Sequence, residues 1–402
     1  MPLTANIATE AQPAEQVDYK SIALLSVAHL SDDINQGVVP AMLPFFIASD
    51  HLTYAAAAGL ILAQTLSSSV VQPLFGMLAD RRPSPWLIPV GLSFAGIGVA
   101  LAGLAPTYGL IFAAIALSGL GISAFHPEAA RRVRYLSGSR QATTMSFFTV
   151  GGMAGFAIGP LMITPVLIAF GTRGSVILAL PVLVMALAVT HQLPRLAAAH
   201  ANLSISRKVH SLVESPEEWG DFIRLTVVVI LRSMVFFGLN TFIPLYWSHV
   251  LGGTNSGGGL ALTTLLAAVT VGTLLGGRAA DRYGRKIVIV VSLAALAPLT
   301  MVFLSLHSLT AAALLLVPVG IALSASNSVV VVMAQEYLPN RVGLAAGVTL
   351  GLSMTIGGLM MPVFGSIADH YGLRTALFLL GLIPALSCVV SLSLHEPGTT
   401  AA

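Results

Sequence analysis

Two groups of polar and ionisable residues interrupt stretches of the chain that are otherwise apolar. The first is His29 with Asp32, Asp33, Asn35 and Gln36. The second is His126-Pro127-Glu128, inside Gly121-Ile-Ser-Ala-Phe-His-Pro-Glu-Ala-Ala-Arg131. Carboxylates and imidazoles take up and release protons. Each ionisable group costs several kcal/mol inside a bilayer, so such groups are rare there and mark ion or substrate paths.

Helical geometry sharpens the assignment. Asp32 lies roughly 18–20 Å along a helix from Lys20, near mid-membrane. Neighbouring helical residues point about 100° apart, so only one of Asp32 and Asp33 is expected to face a central cavity squarely. His29 shares a face with Asp33, and Asp32 with Gln36. Low dielectric disfavours a charged carboxylate, which suits it to carry a proton. Pro127 deprives the Ser123 carbonyl of its helical partner and bends the backbone beside His126. Glu128 is expected to pair with Arg131 or Arg132 one turn on. Counted from Gly109, His126 sits roughly 25 Å from the outer surface, deeper than Asp32. The two clusters are therefore expected to lie apart and act in sequence. Asp32, Asp33, His126 and Glu128 are the proton-coupling candidates. No metal site is expected, because His-Pro-Glu lacks the helical His pair of zinc proteases.

A lone base, Arg232, stands inside the seventh apolar stretch. Matching Pro44 with Pro244 places it opposite Asp32, where it would balance the acids or bind an anionic substrate. Together with His29, Gln36, Gln64, Asn240, Trp247 and Asn327 it forms the expected substrate-binding set.

The elements that carry these groups must be membrane helices. Of 402 residues, 56% are hydrophobic and only 9% charged, against roughly 25% charged in soluble domains. Such a chain cannot cover a water-facing surface. The 38 glycines and 22 prolines suit membrane helices, which tolerate both and use glycine for close packing. The pI near 9.2 does not indicate nucleic acid, because the bases fall in short loops and form no stripe. The single cysteine, Cys388, allows no intramolecular disulfide and reads as a small buried apolar group. Residues 1–18 lack the basic start and apolar core of a secretory signal, so the first apolar stretch is expected to remain as a span.

A span needs roughly 20 apolar residues. Twelve segments qualify, at about 20–48, 55–79, 86–105, 109–134, 140–170, 174–193, 221–250, 256–280, 286–306, 309–337, 341–368 and 373–394. The hydrophilic stretch 195–220 divides them into halves 1–194 and 221–402. Arginine and lysine concentrate at even-to-odd junctions, with only Arg173 and Arg374 opposite. Both termini and the linker are therefore expected to be cytoplasmic.

A short motif recurs. Gly76-Met-Leu-Ala-Asp80-Arg81, Gly277-Arg-Ala-Ala-Asp281-Arg-Tyr-Gly284 and Gly365-Ser-Ile-Ala-Asp369-His-Tyr-Gly372 close spans 2, 8 and 11. The recurrence fits three-helix units nested in two halves. The glycine allows close approach, and the acid can latch to a base or to a helix N-terminus. Asp80, Arg81, Arg131, Asp281, Arg282, Arg285, Glu336 and Arg341 are the gating candidates, with Glu336 expected to pair with Arg341.

These loop motifs resemble the cytoplasmic signature of the major facilitator superfamily, except that Pro83 replaces a usual glycine. Gly151-Gly152-x-x-Gly155-x-x-x-Gly159-Pro160 resembles that superfamily's antiporter motif. His29-Leu-Ser-Asp-Asp-Ile-Asn-Gln36, Phe125-His-Pro-Glu128 and Ala334-Gln-Glu-Tyr-Leu-Pro-Asn-Arg341 are similar to the fosmidomycin-resistance branch. The resemblance implies an all-α membrane protein of twelve helices in two pseudo-symmetric six-helix bundles. It also implies a bacterial inner-membrane drug exporter driven by proton entry.

The expected partners are a small-molecule substrate and the lipid bilayer, with no nucleic acid. The chain is expected to act as a monomer with no cofactor beyond the coupling proton. Three rivals stand beside this reading: an importer or symporter of an organic anion or nutrient, an intramembrane enzyme using His126 and Glu128, and a membrane scaffold.

Overall fold

With lipid as solvent every backbone polar group must be satisfied within the protein, and continuous apolar runs of roughly 20 residues do that as helices. The computed structural model describes residues 17–81, 84–137, 141–198, 217–341, 344–345 and 347–397. Among these, regular structure is helical throughout. The N-terminal half contains α1 (Tyr19–Asp50), α2 (Tyr54–Ser69), α3 (Gln72–Arg81), α4 (Leu87–Leu104), α5 (Tyr108–Leu136), α6 (Gln141–Phe170), α7 (Val176–His191) and the short α8 (Leu193–Ala198). The C-terminal half contains α9 (Trp219–His249), α10 (Asn255–Tyr283), α11 (Arg285–Ser305), α12 (Leu309–Ser324), α13 (Asn327–Tyr337), α14 (Ser353–Leu359), α15 (Met361–Tyr371) and α16 (Leu373–Leu392).

Among the described residues, ten helices are long and apolar enough to cross a membrane. α2 with α3, and α12 with α13, each count as one span interrupted by a turn. Two further spans complete the twelve. α1 is 32 residues long, and its His-Asp-Asp-Asn-Gln cluster lowers its hydropathy. The eleventh is broken into a π-helical turn (Gly347–Leu352), α14 and α15. Ser353 Oγ donates to the Val348 carbonyl five residues back, at 3.0 Å, which is the spacing of a widened turn.

Side chains cap several ends. Asp18 accepts from the Ser21 amide, Thr53 from Ala56, Thr254 from Gly257 and Ser308 from Ala311. The recurring motif ends in the same way at α10 and α15. Gly284 and Gly372 adopt φ of 93° and 85° and donate to the carbonyls of Ala280 and Ala368. Pro83, the corresponding position of the first copy, lies outside the described residues.

Helices α1 and α6 pack most intimately, because glycines line the contact. A Cβ at Gly151, Gly155 or Gly37 would fall 2.1–2.3 Å from a carbonyl oxygen of the facing helix. The halves meet along α2 with α15 and α6 with α10. A Cβ at Gly365 would lie 2.7 Å from Ala55, and one at Gly259 2.2 Å from the Thr164 hydroxyl. Large apolar side chains such as Leu180, Leu187, Leu314 and Val389 face outward, as expected of a lipid-facing surface.

Candidate functional site

A cavity of about 400 Å³ lies between the halves. One wall comes from α1, α5 and α6 with His29, Asp33, Gln36, His126, Met153 and Phe156; the facing wall comes from α9, α10 and α13 with Arg232, Phe236, Phe237, Leu266, Thr270 and Asn327. Polar groups thus stand at opposite sides of an aromatic and aliphatic lining.

The two clusters expected to lie apart are one site. His126 Nε2 is 3.2 Å from His29 Nε2 and 3.3 Å from Asp33 Oδ1. His29 Nε2 is 3.3 Å from Asp33 Oδ2, and His126 Nδ1 lies 3.5 Å from Asp32 Oδ2. The expectation failed because depth was counted from opposite ends of helices longer than the bilayer. Asp32 is eighteen residues from Asp50, and His126 eighteen from Tyr108, at the adjoining ends of α1 and α5. Each is therefore roughly 27 Å down its helix.

Backbone carbonyls fix the tautomers. His29 Nδ1 donates to the Phe148 carbonyl at 2.7 Å, and His126 Nδ1 to the Ile122 carbonyl at 2.9 Å. A carbonyl only accepts, so each Nδ1 bears a proton, and each Nε2 points inward, as a lone pair wherever that ring is neutral. Two ring nitrogens and a carboxylate converge there. Gln36 Nε2 donates to Asp33 Oδ1 at 3.0 Å. Phe148 stacks on His29 with centroids 4.0 Å apart. Gly152 closes the floor, since a Cβ there would fall 2.4 Å from His29 Nε2 and 2.5 Å from Asp33 Oδ2. Asp33 faces the cavity, whereas Asp32 is fully buried behind it, with no hydrogen bond to either oxygen.

Across the cavity, Arg232 Nη2 donates to Asn327 Oδ1 at 2.9 Å and Nη1 to the Leu323 carbonyl at 3.5 Å. Its Nε has no partner, and no carboxylate pairs with it among the described residues.

Several expected residues lie elsewhere. Glu128 and Arg132 are both fully buried and pair at 2.6 Å, and Arg132 Nη1 also donates to the Leu196 carbonyl. Glu128 is thus held by Arg132, which also ties down α8; it does not line the cavity and makes no hydrogen bond or ion pair with His29, Asp33 or His126. Arg131 lies over the Tyr135 ring instead of competing for that acid. Gln64 donates to the Asn35 carbonyl, Asn240 is buried, and Trp247 packs against Gly253 and Gly257; none of the three lines the cavity.

The gating pairs also differ from expectation. Glu336 pairs with Arg285, while Arg341 reaches Glu217 at 3.2 Å and Trp219. The turn at Pro339–Arg341 carries Arg341 past Glu336 to α9. Asp281 makes no ion pair among the described residues, and Arg282 lies over Tyr283. The side chains of Asp80 and Arg81, and residues 199–216 of the expected linker, lie outside the described residues. Asp369, the third copy of the motif acid, does latch the halves. It accepts from the Tyr54 and Ala55 amides at 2.7 and 2.9 Å, at the N-terminus of α2.

Sequence reasoning missed Phe148 and placed Gly152 only within the run that resembles the antiporter motif. Phe148 acts through its carbonyl and leaves no trace in composition. The paired glycines did carry a signal, since a second adjacent glycine exceeds what one packing face requires.

Two helical bundles enclosing a largely apolar cavity, with polar groups at its opposite sides, have the architecture of a membrane transporter. The Major Facilitator Superfamily model matches residues 25–259 and 225–401, and the chain belongs to that superfamily, within the branch of the fosmidomycin resistance proteins. It is 31% identical to the fosmidomycin resistance protein of Escherichia coli (strain K12), over 91% of this chain and 90% of that one. It is 28% identical to YfnC, an uncharacterized MFS-type transporter of Bacillus subtilis (strain 168), over 93% and 92% of the two chains. In fold it is similar to a bacterial homolog of the human lysosomal transporter Spinster, in an inward-facing and occupied conformation (TM-score 0.78, 16% identity, 93% and 96% covered). It is likewise similar to a D-xylose-proton symporter (TM-score 0.70, 14% identity, 95% and 99% covered).

Proposed function

We propose that this chain is a proton-coupled exporter of small-molecule drugs, fosmidomycin-like or other toxic compounds, in a bacterial inner membrane. The observation that carries the reading is the convergence of His29, Asp33 and His126 on one cavity wall, facing Arg232 on the other. A proton settling among those lone pairs changes the charge of the wall that a substrate must also approach. Substrate and proton then compete for one conformational equilibrium as the halves rock around a mid-membrane site. The Asp369 latch at one end supports a cavity open toward the other, where the pairs Arg285–Glu336 and Arg132–Glu128 each stay within one half and Arg341 reaches Glu217 in the linker.

In this reading the bundles are 1–194 and 221–402, joined by a cytoplasmic linker at 195–220, with both termini cytoplasmic. The protein acts as a monomer in lipid, without nucleic acid, without chemical conversion of its substrate and with no cofactor but the proton.

The test uses inverted vesicles with an imposed pH gradient and a growth-inhibition panel across many compounds. The expected result is compound accumulation in vesicles acidified inside, matched by protection of growing cells. A second reading, import of an organic anion with protons, is favoured by the uncommitted Nε of Arg232. Uptake in the opposite direction under the same gradient would establish it and overturn export.

A further inference from the structure

We propose that His29, Asp33 and His126 form a binding site for a divalent transition-metal ion of the zinc class. The site goes beyond the transport reading and does not depend on it.

The geometry of the donors points to a metal. The facing atoms are separated by 3.2 Å (Nε2 to Nε2) and by 3.3 Å from each imidazole to the Asp33 carboxylate. Zinc bound by His and Asp at about 2.0–2.1 Å in a tetrahedron requires its ligands to lie roughly 3.3 Å apart. Two edges, His29 to His126 and His29 to Asp33 Oδ2, already have that length; the third distance runs from His126 to Oδ1, the other oxygen of the same carboxylate, and one donor atom from each residue lies within 4.8 Å of the others. A single proton bridges only one pair of the three acceptors, whereas a metal ion engages all three at once.

The surroundings fit as well. A metal-binding histidine usually donates its other nitrogen to a carbonyl or carboxylate, which fixes the tautomer and ring orientation. Both rings do so here, toward Phe148 and Ile122. Asp32 lies 3.5 Å from His126 Nδ1, with both of its oxygens free of hydrogen bonds. Asp33 supplies a carboxylate in contact with the ion, and the Asp32 carboxyl stands behind His126 as a further polar group. Gln36 holds Asp33 Oδ1 and leaves Oδ2 for the ion. The mixed nitrogen and oxygen donor set suits Zn²⁺, Co²⁺ or Ni²⁺ better than Mg²⁺ or Ca²⁺, which prefer oxygen alone. Three protein ligands with the fourth side open to the cavity leave a position for water or a ligand oxygen.

The test uses the full chain, tag-free, purified in detergent, stripped with a chelator and titrated with Zn²⁺ by calorimetry and with Co²⁺ by visible absorption. No gradient or drug is involved, so failure here is distinct from failure of the transport reading. Saturable binding of a single ion is expected, with the strong absorption of four-coordinate Co²⁺. His29→Ala and Asp33→Asn should each weaken it at least about tenfold, whereas His395→Ala, at the distant pair with Asp221, should leave it unchanged. If a variant fails to elute as folded protein, wild type decides: Zn²⁺ should protect His29 and His126 together from diethyl pyrocarbonate. Absence of saturable binding, unchanged affinity in both ligand variants, or unaltered modification of both histidines would overturn the site.

Discussion

The imidazoles of His29 and His126, 97 residues apart in sequence, meet edge to face with their Nε2 atoms 3.2 Å apart. One rides on α1 and the other on α5, and the cavity between the halves opens onto both. Any event that adds or removes positive charge between them alters the fit of α1 against α5. That is the link between a local ion and a movement of helices.

Replacing Asp33 by Asn preserves size but removes the negative charge shared by both rings. Substrate-driven proton movement in vesicles should fall to background, while insertion and cavity volume persist. Unchanged proton flux in Asp33→Asn and in His126→Gln would remove this cluster from the coupling mechanism.

Gly152 sets how closely α6 approaches the cluster. The methyl of Gly152→Ala would collide with His29 and Asp33. Overpacking of this kind costs about 1–3 kcal/mol and should displace both side chains. Transport should be lost with little change in membrane yield, whereas Gly109→Ala, with nothing within 4 Å of its added carbon, should transport normally.

The helices themselves were legible because lipid imposes a length and an apolarity on every span. Within α1, the 100° step separated Asp33, which faces the cavity, from Asp32, which is sealed behind it. The meeting of α1 with α5 was not legible. Tilt and overhang in helices of 32 and 29 residues decouple residue count from depth. Trp247 and Asn240 misled for another reason: polarity inside a span does not show which way a residue turns, and both are buried in helix packing away from the cavity. Glu336 found Arg285 instead of Arg341 because a turn between α13 and the next span reorients the chain, and no local period encodes that.

Asp369 holds the N-terminus of α2 through two amides, joining the halves at one end. Asp369→Asn removes the charge and one good acceptor, a loss of about 1 kcal/mol. The equilibrium should shift about fivefold toward the form open at that end. Thiol labelling of a cysteine placed at Thr53 should speed up accordingly, and an unchanged rate would show that the latch does not bias the equilibrium.

Glu128 and Arg132 are buried without exposure, so breaking the pair strands a charge. Glu128→Gln should destabilise the protein by about 3–5 kcal/mol, read as a lower melting temperature in detergent. Replacing both residues by leucine should recover much of that loss. If Glu128→Gln instead melts like wild type and loses proton coupling, the acid belongs to the coupling machinery after all.

Asp18 gives an acid-side test outside the membrane spans. Burial works against its charge, but two hydrogen bonds from Ser21 and the guanidinium of Arg195 outweigh that effect and hold its carboxyl below its usual value of 3.8. A carboxyl depressed in the folded state stabilises the fold above its unfolded pKa, and that contribution disappears as pH falls through the folded value. Arg195 is about half exposed, at 49%, so the pair contributes well under about 1 kcal/mol. Asp18→Ala should therefore melt slightly below wild type at neutral pH, and the gap should close as pH drops below about 4. A gap that widens on acidification would reverse the sign and show that the folded protein prefers Asp18 protonated.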